Sequence, residues 1–224
     1  MKLSDNTIAV LKNFSTINQS LQFKNGKVLR TISPLKTIFV EANVEEDFPT
    51  TFCLFDLNKL LAKISLYKDA ELGFEADRLT IATADKKKSD SIKYCSEKVI
   101  VTPPDKSITL ANPDCEFSVS QEDLEWMRKS AGISGSPNFV FESDGATITF
   151  MATDLKDDSS DQSKIEIGTS DKIFRVAMKV ENFKMMDGSY DVAVSSKGMA
   201  RFKNKNADIT YYIAIEAANS KFGE

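Results

Sequence analysis

The sequence predicts an α+β protein of two similar domains, each with antiparallel sheets covered on one side by two short helices. Three observations carry that prediction. Apolar pairs three residues apart recur four times, at Ile8/Leu11, Leu57/Leu60, Leu124/Met127 and Phe183/Met186, the spacing of a buried helical stripe. Each pair leads into runs that alternate apolar and polar residues, as half-buried strands do. The 224 residues suffice for two ordinary domains, and Pro103, Pro104 and Pro113 interrupt the pattern midway. The repeats, roughly 50–65 residues long, are irregular in spacing, so they read as a structural repeat and not as a duplicated sequence.

The first helix is predicted from Asp5 to Asn13 or Ile17, capped by Ser4, with Ile8, Leu11 and Phe14 as its stripe. Strands follow at 20–23, 28–32 and 37–44, with Asn25-Gly26 as a hairpin turn. Helix two starts after Asp56 and carries Leu57, Leu60, Leu61 and Ile64 at i, i+3, i+4 and i+7. Strands at 71–74, 79–83 and 92–95 come next, with a polar loop at 85–90. Val99-Ile100-Val101 is read as extended chain, after which the prolines prevent regular structure. These features divide the chain into a domain at 1–100, a connector at 101–115 and a second domain at 116–224.

Beyond the connector the pattern restarts with a strand at 117–119. Ser120 then caps helix three, with Asp123 three residues later as a variant capping box. Leu124, Met127 and Ala131 form the stripe, and Gly132 is expected to end the helix. Strands are predicted at 138–142, 147–152 and 164–168, with Asp144-Gly145 as a hairpin turn. The last unit reads as a strand at 174–178, a fourth helix at 180–186 stopped by Asp187-Gly188, and strands at 190–195, 198–203 and 209–217.

Composition excludes several classes of function. With no histidine, the chain lacks the commonest general base and the commonest metal ligand. It carries no Walker-type loop, no dinucleotide fingerprint and no nucleophile elbow. Asp154, Asp157, Asp158 and Asp161 lack the glycine and terminal glutamate of a calcium loop, so they read as a solvated loop, and no metal or cofactor is expected. Cys53, Cys95 and Cys115 show no paired spacing and read as reduced structural thiols. No apolar run approaches the ~20 residues of a membrane span, and the first six residues lack the apolar core of a signal peptide. The net charge of −4 argues against bulk attraction to nucleic acid, yet it allows a basic surface confined to one face.

Basic residues flank every predicted stripe. Lys12 follows Ile8/Leu11, and Arg128 follows Leu124/Met127 in the equivalent place, with Lys129 beside it. Lys59 and Lys63 lie four apart on helix two, away from its leucines, and Lys179 and Lys184 bracket Phe183. Lysine on an exposed helix also serves solubility alone. Scattered lysines over a sheet suit sequence-independent contact with phosphates. Neither an aromatic stacking platform nor a base-reading helix is evident.

Longer stretches add a resemblance. Residues 1–4 and 7–18 (Met-Lys-Leu-Ser, then Thr-Ile-Ala-Val-Leu-Lys-Asn-Phe-Ser-Thr-Ile-Asn) resemble the opening of the sliding clamps of T-even-type bacteriophages. Asp56-Leu57-Asn58, Ile64-Ser65-Leu66, Glu122-Asp123-Leu124, Asn182-Phe183-Lys184-Met185, Gly188-Ser189-Tyr190 and the run at 212–217 are similar to that family too. The resemblance spans the chain in order and is weakest around 84–118 and 154–172.

It implies the DNA-clamp fold and a ring of six similar domains whose hole is lined by twelve helices. A chain of two domains and four helices would complete that ring as a homotrimer. The implied function is a DNA polymerase processivity factor that encircles duplex DNA, without catalysis and without a cofactor. It is loaded by a separate ATP-dependent clamp loader in the cytoplasm of the infected bacterial host. Phage DNA polymerase, and late-transcription factors as further candidates, are the implied protein partners. Lys12 and Arg128 match the family's basic, DNA-facing positions, whereas Lys59, Lys63, Lys129 and Lys184 are assigned to that role from helical faces. Asp5 stands where relatives often carry a basic residue. Val99, Ile100 and Val101 are candidates for the rim of a pocket for partner tails, or else a buried strand. The competing reading is a β-rich phage structural or assembly ring that never touches DNA.

Overall fold

The computed structural model describes residues 1–223. The chain divides into two compact units, Met1–Ser107 and Ile108–Glu224. In unit 1, α1 (Asp5–Ile17) is followed by β1 (Leu21–Phe23), β2 (Gly26–Ile32), β3 (Ile38–Phe48) and β4 (Phe52–Leu54). Then come α2 (Leu57–Ile64), β5 (Glu71–Phe74), β6 (Arg78–Ala82), β7 (Ser89–Lys93) and a 3-10 turn at Glu97–Val99. Every strand pair in the unit is antiparallel: β1 with β4, β2 with β3, and β5-β6-β7 in that order.

Helix α1 begins where the Ser4 hydroxyl accepts from the Thr7 backbone N–H at 3.2 Å, satisfying one of the donors a helix start leaves open. It buries Thr7, Val10, Leu11, Phe14 and Ile17, and packs against the Leu57, Leu60 and Ile64 face of α2. Asp56 caps α2 by accepting from the Lys59 N–H at 3.0 Å.

Asn25-Gly26 is not a hairpin turn. Gly26 supplies a positive φ of 106°, but the chain there passes from β1 to a strand in another sheet. β1 pairs instead with β4, because Phe23 stacks on Phe52 at 4.6 Å and packs on Phe48 at 5.1 Å. Removing these rings from water, at about 1.5–3 kcal/mol each, outweighs a local turn preference. The hairpin between β2 and β3 turns instead at residues 33–37. There Lys36 takes φ 58° and its N–H reaches the Ser33 carbonyl at 2.8 Å.

In unit 2, β8 (Cys115–Val119) precedes α3 (Gln121–Ser134), then β9 (Asn138–Asp144), β10 (Thr147–Thr153), β11 (Ser163–Thr169) and β12 (Ile173–Lys179). β13 (Tyr190–Ser195), β14 (Met199–Asn204), β15 (Ile209–Ala214) and β16 (Lys221–Phe222) complete it. One antiparallel sheet runs β11-β10-β9-β12-β16; the other strands follow the order β8-β13-β14-β15. Asp144-Gly145 is the β9–β10 turn: the Asp144 carboxylate accepts from Ala146 and Thr147 N–H groups, both at 2.9 Å, and Gly145 takes φ 91°.

Helix α3 runs through Gly132 to Ser134, and it is Gly135, at φ 66°, that provides the left-handed cap. Gly132 sits in open space and costs the helix only its own backbone entropy. The expected fourth helix is absent: only a 3-10 turn forms at Val180–Asn182. The buried apolar pair is Phe183 and Met185, two apart, and not Phe183 and Met186. Phe183 points edge-on at Phe139 and Phe202, with ring centroids 4.8 and 5.4 Å apart. Seven residues are too few to nucleate a helix without help, and after the 3-10 turn the chain runs irregularly so that Phe183 and Met185 reach the core. The described residues therefore hold three α-helices, two in unit 1 and one in unit 2.

Candidate nucleic-acid interface

Burial decides which basic residues are available. On α1 the buried stripe leaves Asp5, Asn6, Lys12 and Thr16 in solvent. Lys12 has no ion-pair partner among the described residues, and neither does Lys59 on the exposed side of α2. Because α1 and α2 pack on each other, these two ammonium groups sit on adjoining helices of one unit. Asp5 occupies the first turn of α1, where the helix dipole favours a carboxylate, so its acidity has a local structural reason.

Lys63 differs from its neighbour one turn earlier. Its ammonium bonds the Asp90 carboxylate on β7, and Asp90 accepts a second hydrogen bond from the Tyr67 hydroxyl at 2.8 Å. The Lys63 contact, then that of Tyr67, holds the Asp90 carboxyl below its ordinary range. Lys63 is thus engaged as a tether between α2 and β7.

In unit 2, α3 buries Leu124, Met127 and Ala131 and exposes Glu122, Trp126, Lys129 and Ile133. Lys129 is open to solvent, 3.8 Å from Glu125 one turn back. Arg128 is folded inward, with its side chain 24% exposed. Its guanidinium donates to the Met185 carbonyl at 3.4 Å and lies 3.8 Å from Asp187, while its buried Nε finds no acceptor among the described residues. Lys184 is exposed, but it projects from an irregular segment and not from a helix. The basic set is therefore unequal: Lys12, Lys59 and Lys129 stand on exposed helix faces, whereas Lys63 and Arg128 are engaged within their units.

Sequence reasoning passed over Trp126, 46% exposed on α3 one turn before Lys129. A stripe search selects buried spacing and has no signal for a lone aromatic on the opposite face.

Val99 ends the 3-10 turn and Ile100 follows it in extended conformation, but residues 99–101 form no strand. Val99 and Val101 are 59% and 37% exposed, an apolar pair on the surface and not in a sheet interior. Residues 101–114 form no helix or strand. The first part of that segment is held to unit 1 by Asn18, which donates to the Val101 carbonyl at 3.2 Å, and by a Lys24–Asp105 ion pair. Arg30 adds a contact at 3.0 Å to the Ser107 hydroxyl, which donates to Glu41.

Other chemistry is not assembled. Among the described residues no group of three or more Cys, Asp or Glu side chains is placed to hold a metal ion. In the 154–161 loop, Asp154 and Asp157 accept from the N–H groups of Lys156 and Ser159, each at 2.9 Å, as ordinary turn formers do. Burial pushes the Cys53 thiol up to about 11 and that of Cys115 to about 12, leaving both protonated and inert at neutral pH.

Comparison with known proteins agrees with this architecture. The family described as gp45 sliding clamp, C terminal, matches residues 116–217. A sliding clamp from Vibrio phage KVP40 is 30% identical over 223 residues, covering 97% of this chain and 100% of its own. The sliding clamp of Escherichia phage RB69 is 28% identical over 224 residues, with 97% of each chain covered. Among solved structures, A. fulgidus PCNA bound to the C-terminal region of FEN-1 superposes with a TM-score of 0.69 at 14% identity, over 93% of this chain and 94% of that one. At such identity the likeness establishes the fold. The curated relatives establish the kinship: this chain belongs to the sliding clamps of T-even-type bacteriophages.

Proposed function

We propose that the protein is a DNA sliding clamp, a homotrimeric ring that encircles duplex DNA and tethers the phage DNA polymerase to its template. A ring is held by topology, so it needs only weak, non-reading contact with phosphates. The observation that supports this most is the pair Lys12 and Lys59, exposed on adjoining helices and free of ion-pair partners among the described residues. Lys129, and more weakly Lys63, Arg128 and Lys184, add to the positive lining. The rest of a chain of net charge −4 repels DNA from other surfaces. The family membership disfavours an assembly ring without DNA contact.

Residues 1–100 and 116–224 are taken as the two clamp domains and 101–115 as their connector. The exposed Val99 and Val101, with Ile100 between them, would meet the apolar tail of a partner. An ATP-dependent loader opens the ring, consistent with the lack of a nucleotide-binding motif here. Late-transcription factors are further candidates for the tail site. No described helix is long and apolar enough to cross a membrane, and the proposed location is the cytoplasm of the infected host.

Light scattering over a wide concentration range should reveal a species of about three times the 24.9 kDa chain mass. Primer extension with polymerase and loader tests the DNA face: Lys12→Ala with Lys59→Ala should shorten the products while the melting temperature holds. Unchanged product length would reject the assignment of these lysines.

A further inference from the structure

The turn between β6 and β7 carries three consecutive lysines, Lys86, Lys87 and Lys88, that the lining helices do not account for. All three are exposed. We propose that this hairpin tip is a second phosphate-contact site, which grips duplex DNA beside the end of α2. The proposal rests on the DNA-encircling reading and extends it to a strand turn.

Placement supplies the first argument. Lys63 in the last turn of α2 and Tyr67 just beyond it both bond Asp90, fixing the start of β7 against that helix end. Lys88 lies two residues from Asp90, roughly 7 Å of extended chain. The basic tip is therefore contiguous with the helix that presents Lys59.

The turn is also built and not merely polar. The Asp85 carboxylate accepts from the Thr83 hydroxyl at 2.6 Å and from the Lys87 N–H at 3.2 Å, and the Lys86 N–H reaches the Thr83 carbonyl at 2.9 Å. Lys86 sits at φ 55°, a left-handed position that glycine or asparagine fills with less strain.

Charge supplies the third. Neither nearby acid cancels the patch: Asp90 is occupied by Lys63 and Tyr67, and Asp85 is turned into the turn's own hydrogen bonds with only a loose 3.7 Å approach from Lys87. Lys86 and Lys88 have no ion-pair partner among the described residues. Three solvated ammonium groups on a tight loop suit a dense line of phosphates, which they contact without reading sequence.

The test is the salt dependence of binding to a 30-base-pair duplex with both ends blocked, in the presence of loader and ATP, by fluorescence anisotropy, for wild type and for Lys86→Gln with Lys87→Gln and Lys88→Gln. Each neutralised phosphate contributes about 0.9 to the slope of log K against log salt, so the triple variant should bind with a slope shallower by about two to three. A slope unchanged by the triple substitution, with an intact wild-type slope, overturns the hairpin site and leaves the ring reading standing. No salt-dependent association by the wild type would overturn both. If the variant keeps the DNA slope but loses affinity for poly-glutamate, the patch serves an acidic protein, and the DNA assignment is again overturned.

Discussion

The Glu46 carboxylate on β3 accepts hydrogen bonds from the Thr7 hydroxyl and the Ser4 backbone N–H, pinning the first turn of α1 to a strand 39 residues away. Helix α1 carries Lys12, so this pin orients the charge proposed to face DNA as well as stabilising a helix start. Burial alone would raise the Glu46 carboxyl, but the bonds from Thr7 and Ser4 outweigh it and hold the group below its ordinary 4.5. A depressed carboxyl stabilises the fold above its unfolded value and loses that contribution as pH falls through the folded one. Glu46→Gln should therefore cost about 1–2 kcal/mol at pH 7. Thermal melts at several pH values should show the gap to wild type closing below pH 4.5; a gap independent of pH would deny the ionised bond.

The two lysines of α2 should behave differently although they lie one turn apart. Lys59→Ala should lower the salt slope of DNA binding by about 0.9, whereas Lys63→Ala should lower it by clearly less, because Lys63 is already paired. Asp90→Asn keeps the shape but removes that partner, and should raise the contribution of Lys63. Anisotropy titrations of the three variants decide the matter; equal reductions from Lys59 and Lys63 would mean the tether opens on DNA.

Arg128 should affect stability more than DNA. Its stem and guanidinium hold residues 185–187 where a helix does not form. Arg128→Ala should destabilise the protein by about 1–3 kcal/mol in urea titration. Asp187 is largely exposed, so Asp187→Asn should cost under about 0.5 kcal/mol. A neutral Arg128→Ala would return this residue to the set of free phosphate ligands.

Much of the fold could be read from the chain because its signals are local. Ser4, Asp56 and Ser120 cap helices through their own side chains, and Leu57/Leu60/Ile64 is one face of a single helix. Asp144-Gly145 makes its turn with its own carboxylate. Two of the failures share one cause, a distant partner that overrode a local preference. Phe52 draws Phe23 away from the Asn25-Gly26 hairpin, and Phe139 and Phe202 draw Phe183 out of a helix.

The site divides in the same way. That Lys12 and Lys59 lie off their apolar stripes follows from helical period, which the sequence by itself determines, as it determines the two-domain α+β class and the kinship to phage clamps. Which lysines are free was decided only by tertiary structure. Asp90 is 27 residues from Lys63, and Met185 is 57 from Arg128, so no window along the chain contains both members of either pair. A charge's availability depends on what the fold brings within about 4 Å of it, and that distance is set by packing, not by order along the chain.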